Sequence, residues 1–109
     1  MKRGDIIPVV QAGSYGKPRP ALLIQSNFFL DVHPSITILP LTSYLREAPL
    51  FRLRVEPSDE NGLQNTSEIM VDKITTVPRE KASDTFGHLE NMYLKEAERL
   101  LAVWLGISD

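Results

Sequence analysis

Residues 15–26, YGKPRPALLIQS, hold the reading from which the fold is assembled. Gly16 and Pro18 end a turn-rich segment, and Ala21 to Ile24 is an apolar run too continuous for a half-exposed element, so "PALLIQS" reads as a strand. Arg19 stands between Pro18 and Pro20 just before that strand. Each proline fixes its own φ, and Pro20 also drives Arg19 out of the α region into extended backbone. The guanidinium is therefore presented with little backbone entropy left to lose.

Upstream lies DIIPVV (5–10), a β-rich run followed by QAGSYGKP, an exposed glycine loop. Pro8 cannot donate to a ladder and assigns this strand to an edge or a bulge. Downstream, NFFLDVHPS (27–35) reads as a turn region with room for a short helical turn, with Phe29 in the core. ITILPLTS (36–43) is a third strand, broken at Pro40. In LFRLRVEP (50–57), Leu50, Arg52 and Arg54 alternate with Phe51, Leu53 and Val55, the period of a strand with one wet face. The turn signal Asn61-Gly62 then leads into SEIMVDKITTVP (67–78), a fifth strand ending at Pro78. Five short strands imply a small, strongly coiled antiparallel sheet or barrel. The period then changes: Leu89, Tyr93, Ala97, Leu100, Leu101 and Trp104 form one apolar stripe of a helix that ends at Gly106 as C′ residue. The fold class is mainly β with a C-terminal helix.

The 109 residues suffice for one domain, 1–109, built on a shared core. With 42% hydrophobic and 24% charged residues the chain has the balance of a water-soluble globule. No run reaches the length of a membrane-spanning helix, and the N-terminus lacks the apolar region of a signal peptide. The absence of cysteine excludes disulfides, thiol nucleophiles and cysteine zinc sites. A cytoplasmic, metal-free protein without cofactor is the expectation. Net charge is −2, unevenly spread: residues 1–54 hold seven basic and three acidic side chains (+4), residues 55–109 five basic and eleven acidic (−6). The pattern suggests one basic face able to attract a polyanion.

The segments "GKPRPALLIQS", "LPLTS", "IMVDKITTVP" and the closing amphipathic helix, in this order, resemble the MazF/PemK family of growth-inhibitor toxins, from KRGDI (2–6) through VWLGI (103–107). The resemblance implies a small helix-capped barrel of the MazF/CcdB type and a homodimer. It implies sequence-selective cleavage of single-stranded RNA without a metal. It further implies neutralisation by an acidic antitoxin, with DNA binding in complex with that partner.

RNA carries its own nucleophile, the 2′-hydroxyl, so holding the sugar-phosphate in line and stabilising the phosphorane suffices for cleavage. By the resemblance Arg19 assists proton transfer to the leaving 5′-oxygen and stabilises charge, while Thr42 positions the phosphate. Arginine titrates above about 12, which favours the electrostatic role. Ser43 is a neighbouring donor, and Asp72 is the acidic candidate to act as base or to orient Arg19. Some relatives place an arginine where this chain has Met70, and many place one near Thr75. Tyr15 is a candidate to stack on an unpaired base, and Lys17, Arg52 and Arg54 are candidates to follow the phosphate backbone. His33 reads as an ordinary loop residue, and His88 as a surface or cap residue. A CcdB-like gyrase poison is the alternative, suggested by Trp104, Gly106 and Ile107, although the spacing has one residue too many and Trp104 reads as a core or dimer contact. An inactive dimeric relative is the third reading.

Overall fold

The computed structural model describes residues 1–13, 15–46 and 51–108. Among the described residues seven strands are formed: β1 Asp5–Val9, β2 Arg19–Leu23, β3 Ser35–Thr42, β4 Arg52–Val55, β5 Ser67–Met70, β6 Thr75–Pro78 and β7 Gly87–His88. Helix α1 covers Asn27–Leu30 and α2 covers Asn91–Trp104. The sheet order is β4-β5-β3-β2-β1-β7, with β6 also on β3, and every pairing is antiparallel. The result is the mainly β, curled architecture expected, with two strands more than the sequence suggested.

The fifth strand expected over 67–78 is divided. Val71–Lys73 is a 3-10 turn between β5 and β6. Both halves use one edge of β3, β6 against Ser35–Ile38 and β5 against Leu41 and Thr42. The two registers differ by three residues, since Leu41 pairs with Ile69 but Ile38 with Thr75, and the turn Val71–Lys73 takes up that excess with Val71 buried in the core. The short β7 on β1 is the second addition.

Pro40 does not break β3, contrary to expectation. Ile24 donates its N–H to the Thr37 carbonyl across β2, so alternation turns residue 40 toward the opposite edge. There it falls between the β6 register, which ends at Ile38, and the β5 register, which begins at Leu41. A missing N–H in that gap leaves no rung unmade. Pro8 is not on an edge strand as expected: β1 lies between β2 and β7, and Pro8 falls between the β7 pairs, which end at Ile6, and the bridge Val9–Ala82, with its carbonyl accepting the Ser83 N–H.

Among the described residues two apolar clusters fill the curl. One gathers Ile6, Leu22, Leu39, Val55, Ile69, Val71, Leu89 and Ala97, with Tyr93, Leu94, Leu100 and Leu101 packed on it from α2. The other holds Ile7, Val9, Ala21, Leu23, Leu30, Ile36, Ile38 and Val77. The helix stripe thus meets the sheet as its spacing requires, except that Trp104 is 47% exposed and sets its ring edge-on to Phe51, 5.1 Å between centroids. Gly106, at φ +76°, ends α2: its N–H donates to Val103 and that of Ile107 to Ala102, a Schellman closure. Phe29 is not core; it is 51% exposed beside Phe28, and Leu30 alone of α1 is buried. In the β4 alternation Phe51, Leu53 and Val55 face the core as expected, while Leu50 lies outside the described residues. None of the described helices is long and apolar enough to cross a membrane.

Candidate active site

The ends of β2 and β3 meet the loop Gly62–Asn65 around a cleft of about 750 Å³. Arg19, Thr42 and Ser43 all line it, together with Gln11, Tyr44, Gln64, Asn65, Met70 and Phe86. Ala21 pairs with Pro40 across β2 and β3, and the same register continued by two residues sets Arg19 opposite Thr42. The residues that sequence placed about twenty positions apart are therefore neighbours at one sheet corner.

Arg19 is exposed at the first position of β2, and its guanidinium has no ion-pair partner among the described residues. Among the described residues lining the cleft it is also the only charged group, and no imidazole or carboxylate accompanies it. The Thr42 hydroxyl accepts the Tyr44 N–H at 3.1 Å, the local turn bond expected of threonine at a strand end, and keeps its own proton free to donate. Tyr44 is exposed, and the Arg46 guanidinium lies 5.8 Å from its ring centre, a cation–π contact that restrains it.

The other candidates are distributed differently. Tyr15, at φ +56° in the glycine loop, and Lys17 are exposed and near Arg19 in sequence but do not line the cleft. Asp72 is an exposed member of the 3-10 turn, outside the cleft lining and without a bond to Arg19; its placement as partner of Arg19 is not what the structure brings together. Arg52 does not face the wet side as a free cation. Its Nη1 donates to Glu68 at 3.1 Å and to the Tyr44 carbonyl at 3.3 Å, and its Nη2 reaches the Met70 sulfur at 3.4 Å. Arg54 Nη2 holds the other Glu68 oxygen at 3.0 Å while remaining half exposed. The period-two reading found the shared face but not the buried carboxylate that occupies it.

Burial alone would push the Glu68 carboxyl up; hydrogen bonds from Arg54, the Arg46 N–H and Arg52 outweigh burial and hold it below the usual glutamate value. Asp5 follows the same pattern: burial opposes, but His88, the Lys2 N–H and Thr85 keep its carboxyl low. His88 is accordingly a structural clasp, 2.9 Å from Asp5 across the β1–β7 pair, rather than a free surface residue. The His33 ring accepts the Ser35 N–H within its own loop, as an ordinary loop residue would. No group of three His, Asp or Glu able to hold a metal ion occurs among the described residues.

Gln64, Asn65, Tyr44 and Phe86 were not singled out by sequence reasoning. Asn65 and Gln64 follow a turn signal and read as loop filler; only the curl of the sheet shows that this loop forms the cleft wall. Phe86 precedes a two-residue strand too short to carry a pattern.

Solved toxins have this architecture. A mycobacterial endoribonuclease in complex with its cognate antitoxin superposes with a TM-score of 0.83, covering 100% of this chain and 98% of that one at 21% identity. The Mycobacterium tuberculosis toxin MazF-mt6 gives 0.81 at 18% identity over 96% and 99% of the two chains. In sequence, the probable endoribonuclease MazF of Mycolicibacterium smegmatis is 43% identical over 99% of both chains. The chain belongs to the PemK-like, MazF-like toxin family of type II toxin-antitoxin systems, whose pattern matches residues 2–105.

Proposed function

We propose that the chain, acting as one toxin domain over residues 1–109, cleaves single-stranded RNA in the Arg19–Thr42 cleft. The observation that carries this reading is a guanidinium without an ion-pair partner among the described residues, set opposite a strand-end hydroxyl in a cleft whose described lining has no other charge. The 43% identical relative named as a probable endoribonuclease supports it.

The substrate's 2′-oxygen attacks the adjacent phosphorus and its proton passes to water, since the cleft is open and its described lining offers no carboxylate or imidazole. Arg19 donates to the phosphorane oxygens as charge builds and to the leaving 5′-oxygen as its bond breaks, while solvent supplies the final proton. Thr42 and Ser43 donate to a non-bridging oxygen. The products are a 2′,3′-cyclic phosphate and a 5′-hydroxyl. Tyr44 and Phe86 offer faces on which splayed bases stack, and the amides of Gln64 and Asn65 can meet base edges. No step is assigned to Asp72 or to a metal ion.

The active form is a homodimer in the cytoplasm, held inactive by an antitoxin whose acidic segment occupies the cleft and pairs with Arg19. The test uses purified protein, a single-stranded RNA oligonucleotide and EDTA. Cyclic phosphate ends, with a matched DNA left intact, are expected. Cleavage that survives a 2′-deoxy substitution at the scissile nucleotide, or that disappears on chelation, overturns the scheme.

A further inference from the structure

The chemistry above leaves unused a carboxylate beside it. Glu68 is 3% exposed and pairs directly with Thr42 across β3 and β5, and with Arg54 across β4 and β5. Directly opposed residues of antiparallel strands project from the same face. Arg19, Thr42, Glu68 and Arg54 therefore form one lateral row across four strands. An unneutralised carboxylate there would repel a phosphate held by Thr42. Its two arginines prevent that: the group of three carries one net positive charge.

The same carboxylate also fixes the cleft rim. Glu68 Oε1 accepts the Arg46 N–H at 3.2 Å and Arg52 Nη1 at 3.1 Å. Arg52 Nη1 in turn donates to the Tyr44 carbonyl, and the Tyr44 N–H donates to the Thr42 hydroxyl. Accepting that bond occupies one lone-pair site of the hydroxyl oxygen and leaves its O–H free to turn into the cleft that Thr42 lines. We propose that Glu68 is a positioning residue for RNA cleavage, acting through Arg52 and Tyr44 on the direction in which Thr42 donates its proton. This rests on the reading of Arg19 and Thr42 as the cleavage centre.

The variants are Glu68→Gln, which keeps the side-chain shape and an acceptor oxygen, Thr42→Ala, and the double substitution. Each is assayed for kcat and KM on an RNA with one cleavage site and for thermal melting. Glu68→Gln is expected to lower kcat about tenfold with KM changed less than about twofold, the signature of an interaction made in the transition state. In the Thr42→Ala background the same change should have no further effect on kcat, because coupled residues are not additive. A tenfold loss that persists without Thr42, or a Glu68→Gln variant with wild-type kcat, overturns the proposal. Arg52→Lys keeps the charge but loses the planar fork that holds Glu68, Tyr44 and Met70 together; it replaces Glu68→Gln if that variant does not fold, with the same two outcomes deciding. If Thr42→Ala alone cleaves at the wild-type rate, the cleavage centre itself is wrong, a result that no behaviour of Glu68 could mimic.

Discussion

The β2 mouth of the cleft and the β4–β5 wall beside it both carry arginine, and they hold it in opposite states. Arg19 is backbone-stiffened by two prolines, exposed and without an ion-pair partner among the described residues. Arg52 is nearly buried, with every described contact spent on Glu68, Tyr44 and Met70. The difference teaches that a basic face is not one thing. Charge that is aimed and unspent can act on a substrate; charge that is paired and buried builds the wall against which the substrate lies.

The largest effect that tests this contrast is on catalysis. Arg19→Ala should lower cleavage by about 10²–10³-fold, the usual cost of removing one oxyanion donor, while melting within the small range of a surface substitution. A variant that loses activity only because it unfolds would erase the distinction. Arg52→Ala should do the reverse, lowering folding stability by about 2 kcal/mol in denaturant melts, because it removes the buried partner of Glu68 together with the bonds to Tyr44 and Met70 and leaves only the half-exposed Arg54 and the Arg46 N–H on the buried carboxylate. A melt unchanged by that substitution would show that the wall does not depend on the pair.

Acid provides a finer probe of the same wall. The folded Glu68 carboxyl titrates below its unfolded value, so its contribution is complete above the ordinary glutamate pKa and is lost as pH falls through the lower folded one. Urea melts from pH 7 downward should lose stability below about pH 4.5, the reference region of a free glutamate, and Glu68→Gln should flatten part of that slope. Asp5 adds to the wild-type slope in the same sense, so the flattening is partial. The smallest effect is expected for Arg54→Ala. Its guanidinium is half exposed and Arg52 still satisfies Glu68, so a loss under about 1 kcal/mol is anticipated.

Much of this contrast was legible in the chain, but unequally. Arg19 could be read because its reason is local: two prolines dictate backbone on either side of one residue. The α2 stripe and its glycine stop were legible for the same reason, since periodicity and C′ geometry are written within a few turns. Glu68 could not be found, because SEIM carries no mark that its glutamate faces inward between two arginines of another strand. Asp72 was named alongside the resemblance, which does not report that the turn at Val71–Lys73 leaves it outside the cleft lining. The Pro40 break was inferred from a local rule that the switch of strand partners makes irrelevant. Cross-strand register, which neither propensity nor spacing reports, decides all three.

Asn61 has a wider role than its place in a turn suggests. Its amide nitrogen donates to Glu56 and Glu90, its oxygen accepts from Ser58 and Leu63, and its carbonyl lies where a Cβ on Gly87 would have to go. Gly62 is closed in the same way by the Phe86 backbone. On the proposed reading, changes in RNA preference would enter at the tips of that loop, Gln64 and Asn65, because its root is held by clearance between two stretches of main chain rather than by the needs of the reaction.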